Sequence, residues 1–166
     1  MDLVPSRGLI LAYSTTIAAE TLVGSGATSY TLPGEPADGT FNTIGCVKDV
    51  PNFGNVKAEF NDHRCLDVGE KFVSKTPTGF LMSDNTQVRV AFAKALYNTL
   101  DGFVKTNTPL TFRIKYATSP TETVPSQSVR TGYLESISDE VKSSGEELEA
   151  TFSVVWTSLP KFTAGT

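Results

Sequence analysis

The densest group of chemically capable side chains is Asp62-His63-Arg64-Cys65-Leu66-Asp67, which holds the chain's single histidine and one of its two cysteines. A thiol beside an imidazole is the pairing used in nucleophilic catalysis, and Cys and His flanked by carboxylates are metal ligands. The spacing matches no zinc pattern, and neighbouring residues of an extended segment project to opposite sides. A Cys–His pair would need His63 and Cys65 to converge with a pocket through tertiary structure. Elsewhere, Gly24-Ser25-Gly26-Ala27 is not followed by a helix pattern, and neither a phosphate-cradling loop nor a GxSxG turn occurs. The expectation is no catalytic residue, no cofactor and no metal site. The chain does not read as an enzyme.

A second group is defined by charge. Glu135, Asp139, Glu140, Glu146, Glu147 and Glu149 lie close together, with Lys142 as the one cation among them. This is either a solvated hairpin or a surface that repels a polyanion, such as the wall of a passage for DNA. Arg113 and Lys115 would oppose such a wall unless they pair with these carboxylates, across strands or between subunits.

These groups belong to one domain. The chain has 166 residues, 39% hydrophobic and 19% charged, with a net charge of -4 and a pI near 5.0. That length can bury a core, and the balance argues against a dedicated DNA-binding surface. Ser, Thr and Gly are plentiful, which suits strands and turns. Two cysteines are too few for a disulfide scaffold. The first twenty residues lack the pattern of a signal peptide, and no apolar run is long enough for a membrane helix, so a soluble domain made inside the cell is expected.

Along the chain, residues 1–40 are rich in breakers and read as an arm packed on the domain or on a neighbour, with a short strand over 9–13 and a run over 28–32. Residues 41–60 read as strand, Pro51-Asn52-Phe53-Gly54 turn, strand. Phe41, Thr43, Gly45 and Val47 share one face, and Val56, Ala58 and Phe60 share another. Residues 62–79 form a polar excursion with hairpin chemistry at Asp67-Val68-Gly69-Glu70, read as a contact device. Residues 84–102 read as the one helix, with Val88, Phe92, Ala95, Leu96, Thr99 and Phe103 in a stripe, Asp84 and Gln87 as a capping box and Gly102 as its stop. Strands follow at 110–116, 129–141 and 148–159, the last two as a hairpin. In the last, Leu148, Ala150, Phe152, Val154 and Trp156 alternate with Glu149, Thr151, Ser153 and Val155. The predicted fold class is mainly β (α+β), an antiparallel β-sandwich or barrel with one packed α-helix, over residues 41–166.

Phe41-Asn42-Thr43-Ile44-Gly45, Val47 and the stretch from Asp49 to Gly54 resemble the strand-turn-strand opening of the major tail tube proteins of long-tailed bacteriophages. Glu70-Lys71-Phe72, Arg130-Thr131-Gly132-Tyr133-Leu134-Glu135 and the closing Ser158-Leu159-Pro160-Lys161-Phe162 are similar to later elements of that family. The likeness runs over roughly residues 40–163. A glycine common in the family after the Glu-Lys-Phe element is displaced here to Gly79, and residues 1–40 have no clear counterpart.

The resemblance implies a structural virion protein of the tail, made in the host cytoplasm. Its subunits join sheets edge to edge into hexameric rings that stack into a tube, with DNA passing through the lumen without specific binding. The implied partners are further copies of the chain, a tape-measure protein, and tail terminator and baseplate or tip proteins, with no membrane insertion. Cys65, Leu66, Val68, Phe72 and Val73 are the expected inter-ring stacking residues. Glu135, Glu149, Thr151 and Ser153 are the expected lumen-facing residues. Two alternatives remain: the tube component of a contractile injection or secretion system, and a monomeric carbohydrate-binding β-sandwich, which would need exposed aromatics grouped on one face.

Overall fold

The computed structural model describes residues 8–25, 29–63, 74–118, 122–140 and 147–166. The fold is mainly β, with antiparallel pairing throughout, and among the described residues one α-helix and a short 3-10 turn at Asp38–Thr40. Seven strands form the main path: β1 (Ile10–Ser14), β4 (Asn42–Ile44), β5 (Val47–Asp49), β8 (Thr86–Ala91), β9 (Pro109–Lys115), β10 (Gln127–Glu140) and β11 (Glu149–Trp156). Their order is β4-β1-β9-β10-β11-β8-β5, and β12 (Lys161–Thr163) adds to β10. Two further hairpins stand apart, β2 (Thr21–Val23) with β3 (Tyr30–Leu32), and β6 (Lys57–His63) with β7 (Ser74–Met82).

The two ends of this path are consecutive in sequence. β4 and β5 are separated only by Gly45 and Cys46, so the ends lie within roughly 11 Å of each other. The sheet must therefore roll up, and two chain segments turn its corners. One is the β4–β5 step, where Cys46 adopts a φ of 51°. The other is β10, whose first half pairs with β9 and β12 and whose second half pairs with β11. The result is a sandwich of β4-β1-β9-β10 over β10-β11-β8-β5, with strands switching layers at bends.

Side-chain alternation fills the space between the layers. Leu11 and Tyr13 from β1, Leu110, Phe112 and Ile114 from β9, Val88 and Val90 from β8, and Ala150, Phe152 and Val154 from β11 are all buried. The helix α1 (Lys94–Thr106) sets Leu96, Tyr97 and Leu100 against Val90, Ile137, Ala150 and Phe152. Its Phe103 ring stands edge-on to Tyr13 at 5.8 Å. It closes at Asn107, in the left-handed conformation, whose N–H reaches the carbonyls of Phe103 and Val104. Asn tolerates that conformation better than most residues.

Several sequence expectations need correction. The helix predicted over 84–102 begins ten residues late. Thr86, Val88 and Val90 are buried while Gln87 and Arg89 are exposed, so this stretch has a period of two and is a strand. The Asp84 and Gln87 capping box does not form; Asp84 instead accepts from Asn55 (2.8 Å) and Lys57 (2.5 Å). Gly102 lies inside the helix.

Residues 41–60 contain the predicted strands and turn, but the strands do not pair with each other: β4 joins β1, β5 joins β8 and β6 joins β7. The inward residues are Ile44 and Phe53, both buried. Thr43 and Gly45 are exposed, as are Val56, Ala58 and Phe60. The bend at Gly45-Cys46 redirects the chain between layers, which alternation cannot register.

Within the 1–40 segment, Ile10–Ser14 is an interior strand between β4 and β9, and Asp38, with the following Phe41, reaches β9, while Glu35 meets Lys161 and Thr163 of β12. There Asp38 pairs with Arg113 and lies 3.6 Å from Lys115, and the Arg113 guanidinium sits 3.8 Å from the Phe41 ring centroid. Among the described residues Arg113 and Lys115 thus meet Asp38 and no carboxylate of the acidic 135–149 group.

Candidate functional site

The four expected lumen residues come from β10 and β11, and their placement follows from strand geometry. On β11, Ala150, Phe152 and Val154 point into the core, so Glu149, Thr151 and Ser153 share the outward face. On β10 the register slips: Leu134 pairs with Val154, but Ser136 pairs with Ser153. Glu135 is the extra residue of a β-bulge. The bulge turns both Glu135 and Ser136 outward, where they are exposed. Glu135 Oε2 then accepts from Ser153 Oγ (3.1 Å) and Asn85 Nδ2 (3.3 Å). The structure therefore puts Glu135 and Ser153 in direct contact, with Thr151 and Glu149 further along the same face.

β8 and β5 extend that face. Gln87 lies opposite Ser153 and Arg89 opposite Thr151. Arg89 Nε stands 3.8 Å from Glu149 Oε2, and the Glu149 side chain is only 12% exposed. From β5, Lys48 reaches Glu147 at 2.5 Å. The hydrogen bond to Glu147, its charge and that of Glu149 hold the Lys48 ammonium above its ordinary range. The outer surface of β10-β11-β8-β5 is thus polar, with its acids partly matched by Arg89 and Lys48. Sequence reasoning found the acids of this face and missed Arg89, Gln87 and Lys48, which it had placed on a helix or in a different hairpin.

The expected stacking residues Cys65, Leu66, Val68, Phe72 and Val73 lie outside the described residues. The hairpin that carries them is described on both sides, with His63 opposite Ser74. It exposes Phe60, Phe80, Leu81 and Met82, with Phe80 65% exposed. With β2–β3 it borders a cleft of about 420 Å³ that includes Tyr30, Phe80, Met82, Trp156 and Leu159.

One buried cation fixes the hairpin base. Arg130 is fully buried and donates Nε to Ser158 O (2.9 Å), Nη1 to Phe53 O (2.8 Å) and Nη2 to Ser83 Oγ. Its guanidinium lies 4.7 Å from the Trp156 ring centroid. Burial without a carboxylate partner pulls its pKa down to about 10. Trp156 is itself wedged edge-on against Phe53 and Phe112 at 5.0 and 5.6 Å, and donates Nε1–H to Thr86 (2.8 Å). Gly132 permits this, because a Cβ there would stand 2.6 Å from Val155 O and 3.0 Å from the indole. The knot ties the 51–55 turn, the β7–β8 link and the β11–β12 link to one point. The sequence placed Arg130 in a motif of the resemblance but gave no sign that its side chain is buried.

Among the described residues no three His, Cys, Asp or Glu side chains group to hold a metal ion, and no helix is long and apolar enough to cross a membrane. No protein-family model matches the sequence, and no curated protein matches it. A solved structure is similar in fold: a chain of the anti-feeding prophage (AFP) baseplate, 6-fold symmetrised, studied by cryo-EM. It superimposes with a TM-score of 0.62 at 9% identity, covering 99% of this chain and 97% of that one. The whole sandwich, hairpins included, is therefore an architecture that also occurs in a prophage baseplate.

Proposed function

We propose that this chain is a structural subunit of a phage-tail-like particle, forming stacked rings around a conduit. The observation that carries the reading is the polar outer face of β10-β11-β8-β5, in which β5 has no strand partner beyond β8 and β10 has none beyond β11 past Tyr133, where β9 ends, among the described residues. A free edge is normally an aggregation hazard and is retained where another chain pairs with it. Repeating such a four-stranded unit around an axis would produce a polar-lined barrel. Lining residues would be Glu135, Glu149, Thr151 and Ser153, joined by Gln87 and Arg89. An acidic to neutral wall lets a polyanion slide without holding it.

The fold likeness to a prophage baseplate chain supports a tail-like particle and six-fold rings. It equally favours a second reading, the tube or ring component of a contractile injection system, which uses the same surfaces. In both, the hairpin β6–β7 would lie against the adjacent ring, and Cys65, Leu66, Val68, Phe72 and Val73 would make the contact. Its exposed Phe60, Phe80, Leu81 and Met82 support that role, since an isolated two-stranded hairpin is marginal without a surface to pack on. The remaining partners would be a tape-measure protein, a terminator and baseplate proteins, with DNA or another cargo in the lumen.

Negative-stain microscopy of the purified chain, alone and with a co-expressed tape-measure protein, tests this. Rings or tubes are expected; a monodisperse monomer under both conditions contradicts it.

A further inference from the structure

We infer that the cleft between β3 and β7 is a docking groove for an extended segment of a partner protein, one that carries a carboxylate flanked by bulky apolar side chains. The carboxylate lies over Arg130 at the floor, and the apolar side chains lie on the walls. Docking here does not require that the chain form rings.

The shape of the cleft calls for an extended chain. Residues 79–83 run along one wall, and residues 29–31 with 157–159 form the other. The Leu159 N–H donates to Thr31 O at 3.2 Å, which ties the two parts of that second wall together. Five extended residues span roughly 17 Å, so the volume of about 420 Å³ is drawn out along β7. A trough bordered by extended backbone is the form in which strand-like peptides are received, with pockets for alternate side chains.

Its walls are apolar. Tyr30, Phe80, Leu81 and Met82 are all exposed large apolar side chains, and all four line the cleft, with the half-buried Trp156 and Leu159 beyond them. A grouping of that kind marks an interaction site, whereas single exposed apolar residues are ordinary.

Charge selects the occupant. In a chain of net charge -4, Arg130 is the one charged residue that lines the cleft among the described residues. Its Nε and Nη2 donate to Ser158 O and Ser83 Oγ, both from residues that line the cleft, while Nη1 turns away to Phe53 O. The Nε–Nη2 edge of the guanidinium is therefore the edge turned to the cleft. Nη2 carries two N–H groups, and Ser83 Oγ is its one acceptor among the described residues. The cation is buried among neutral partners, so water and salt screen its field little. An acidic side chain in the groove supplies the missing counter-charge; a basic one is repelled, and a neutral one gains nothing from it.

Trp156, the chain's single tryptophan, lines the cleft and reports on it. The full chain is titrated with three pools of blocked heptapeptides, Ser-Thr-Φ-Z-Φ-Thr-Ser, in which Φ is Leu, Ile, Val or Phe. Z is an acid in the first pool, Asn or Gln in the second and Lys in the third. The acid pool is expected to shift the Trp156 emission and to bind about tenfold more tightly than the amide pool, as a charge-assisted contact provides. The Lys pool is expected to bind more weakly than either. Met82→Glu, an exposed wall position, should abolish acid-pool binding with the urea midpoint unchanged. Phe60→Ser, on the same hairpin but outside the cleft lining, should leave that binding intact. Equal binding of the acid and amide pools, or no binding by any pool, overturns the proposal. So does acid-pool binding that survives Met82→Glu or is lost in Phe60→Ser, since the site then lies elsewhere. Two further results overturn the choice of occupant. One is 4-phenylbutyrate binding as tightly as the acid pool, which would make the cleft a small-molecule site. The other is a dimer in sedimentation that Met82→Glu abolishes, which would make the occupant a second copy.

Discussion

Arg130 is fully buried among neutral acceptors, so its removal is felt through the groups it leaves behind. Arg130→Met would strand the carbonyls of Phe53 and Ser158 without a donor, at about 1–3 kcal/mol for each buried unsatisfied group. The expected outcome is a net loss of roughly 2–4 kcal/mol in urea unfolding, because the guanidinium's own desolvation cost disappears with it. Arg130→Lys should recover little, since a point ammonium cannot serve three acceptors arranged as a fork. Asp38 gives a pH-dependent counterpart. Its hydrogen bond to Arg113, then the charges of Arg113 and Lys115, lower its pKa below the usual 3.8. A lowered carboxylate pKa stabilises the fold above pH 3.8 and loses that contribution as pH falls through the folded value. Asp38 is exposed, so Asp38→Asn should cost no more than about 1 kcal/mol at pH 7. The difference from wild type should vanish near pH 2, as read from urea midpoints at the two pH values. Neither residue was legible from sequence: Asp38 lies 75 positions from Arg113, and nothing local signals that meeting.

At the scale of elements, legibility followed how local the governing physics is. The strands at β9, β10 and β11 were readable because alternation is written into Leu110, Phe112 and Ile114 and into Ala150, Phe152 and Val154. The helix was placed early because Val88 fits both a period of two and a spacing of four, and only the burial of Thr86, Val88 and Val90 together decides for a strand. The facing of β10 past Leu134 is not legible from alternation, because a bulge adds one residue and shifts every later side chain. Leu100 is the helix residue most enclosed by the sheet, at 1% exposure. Leu100→Ala should therefore cost about 2–5 kcal/mol, measured by denaturant titration. The hairpin β6–β7 behaves in the opposite way. Phe80→Ser and Leu81→Ser should change monomer stability by less than about 0.5 kcal/mol yet reduce the yield of stacked particles in sedimentation. Equal loss of stability and assembly would mean that the hairpin supports the fold and not the contact.

For the whole molecule, one rolled sheet has two surfaces with different tasks. The inner one is a continuous apolar core closed by α1. The outer one, over β10-β11-β8-β5, is polar and moderately acidic, and among the described residues β5 and the 134–140 half of β10 border it without a further strand partner. Sequence alone supplied the fold class and the acids of that face. It did not supply the closure through Gly45 and Cys46, which makes β4 and β5 ends of one sheet. It also did not supply the free edges, which exist only once all the pairings are known. The central claim is that the polar face looks inward in an assembled particle. A cryo-EM reconstruction of the purified assembly tests this most directly. Rings whose lumen is lined by Glu135, Thr151, Ser153 and Arg89 are expected. Rings that turn this face outward, or a chain that stays monomeric with the face open to solvent, would contradict it.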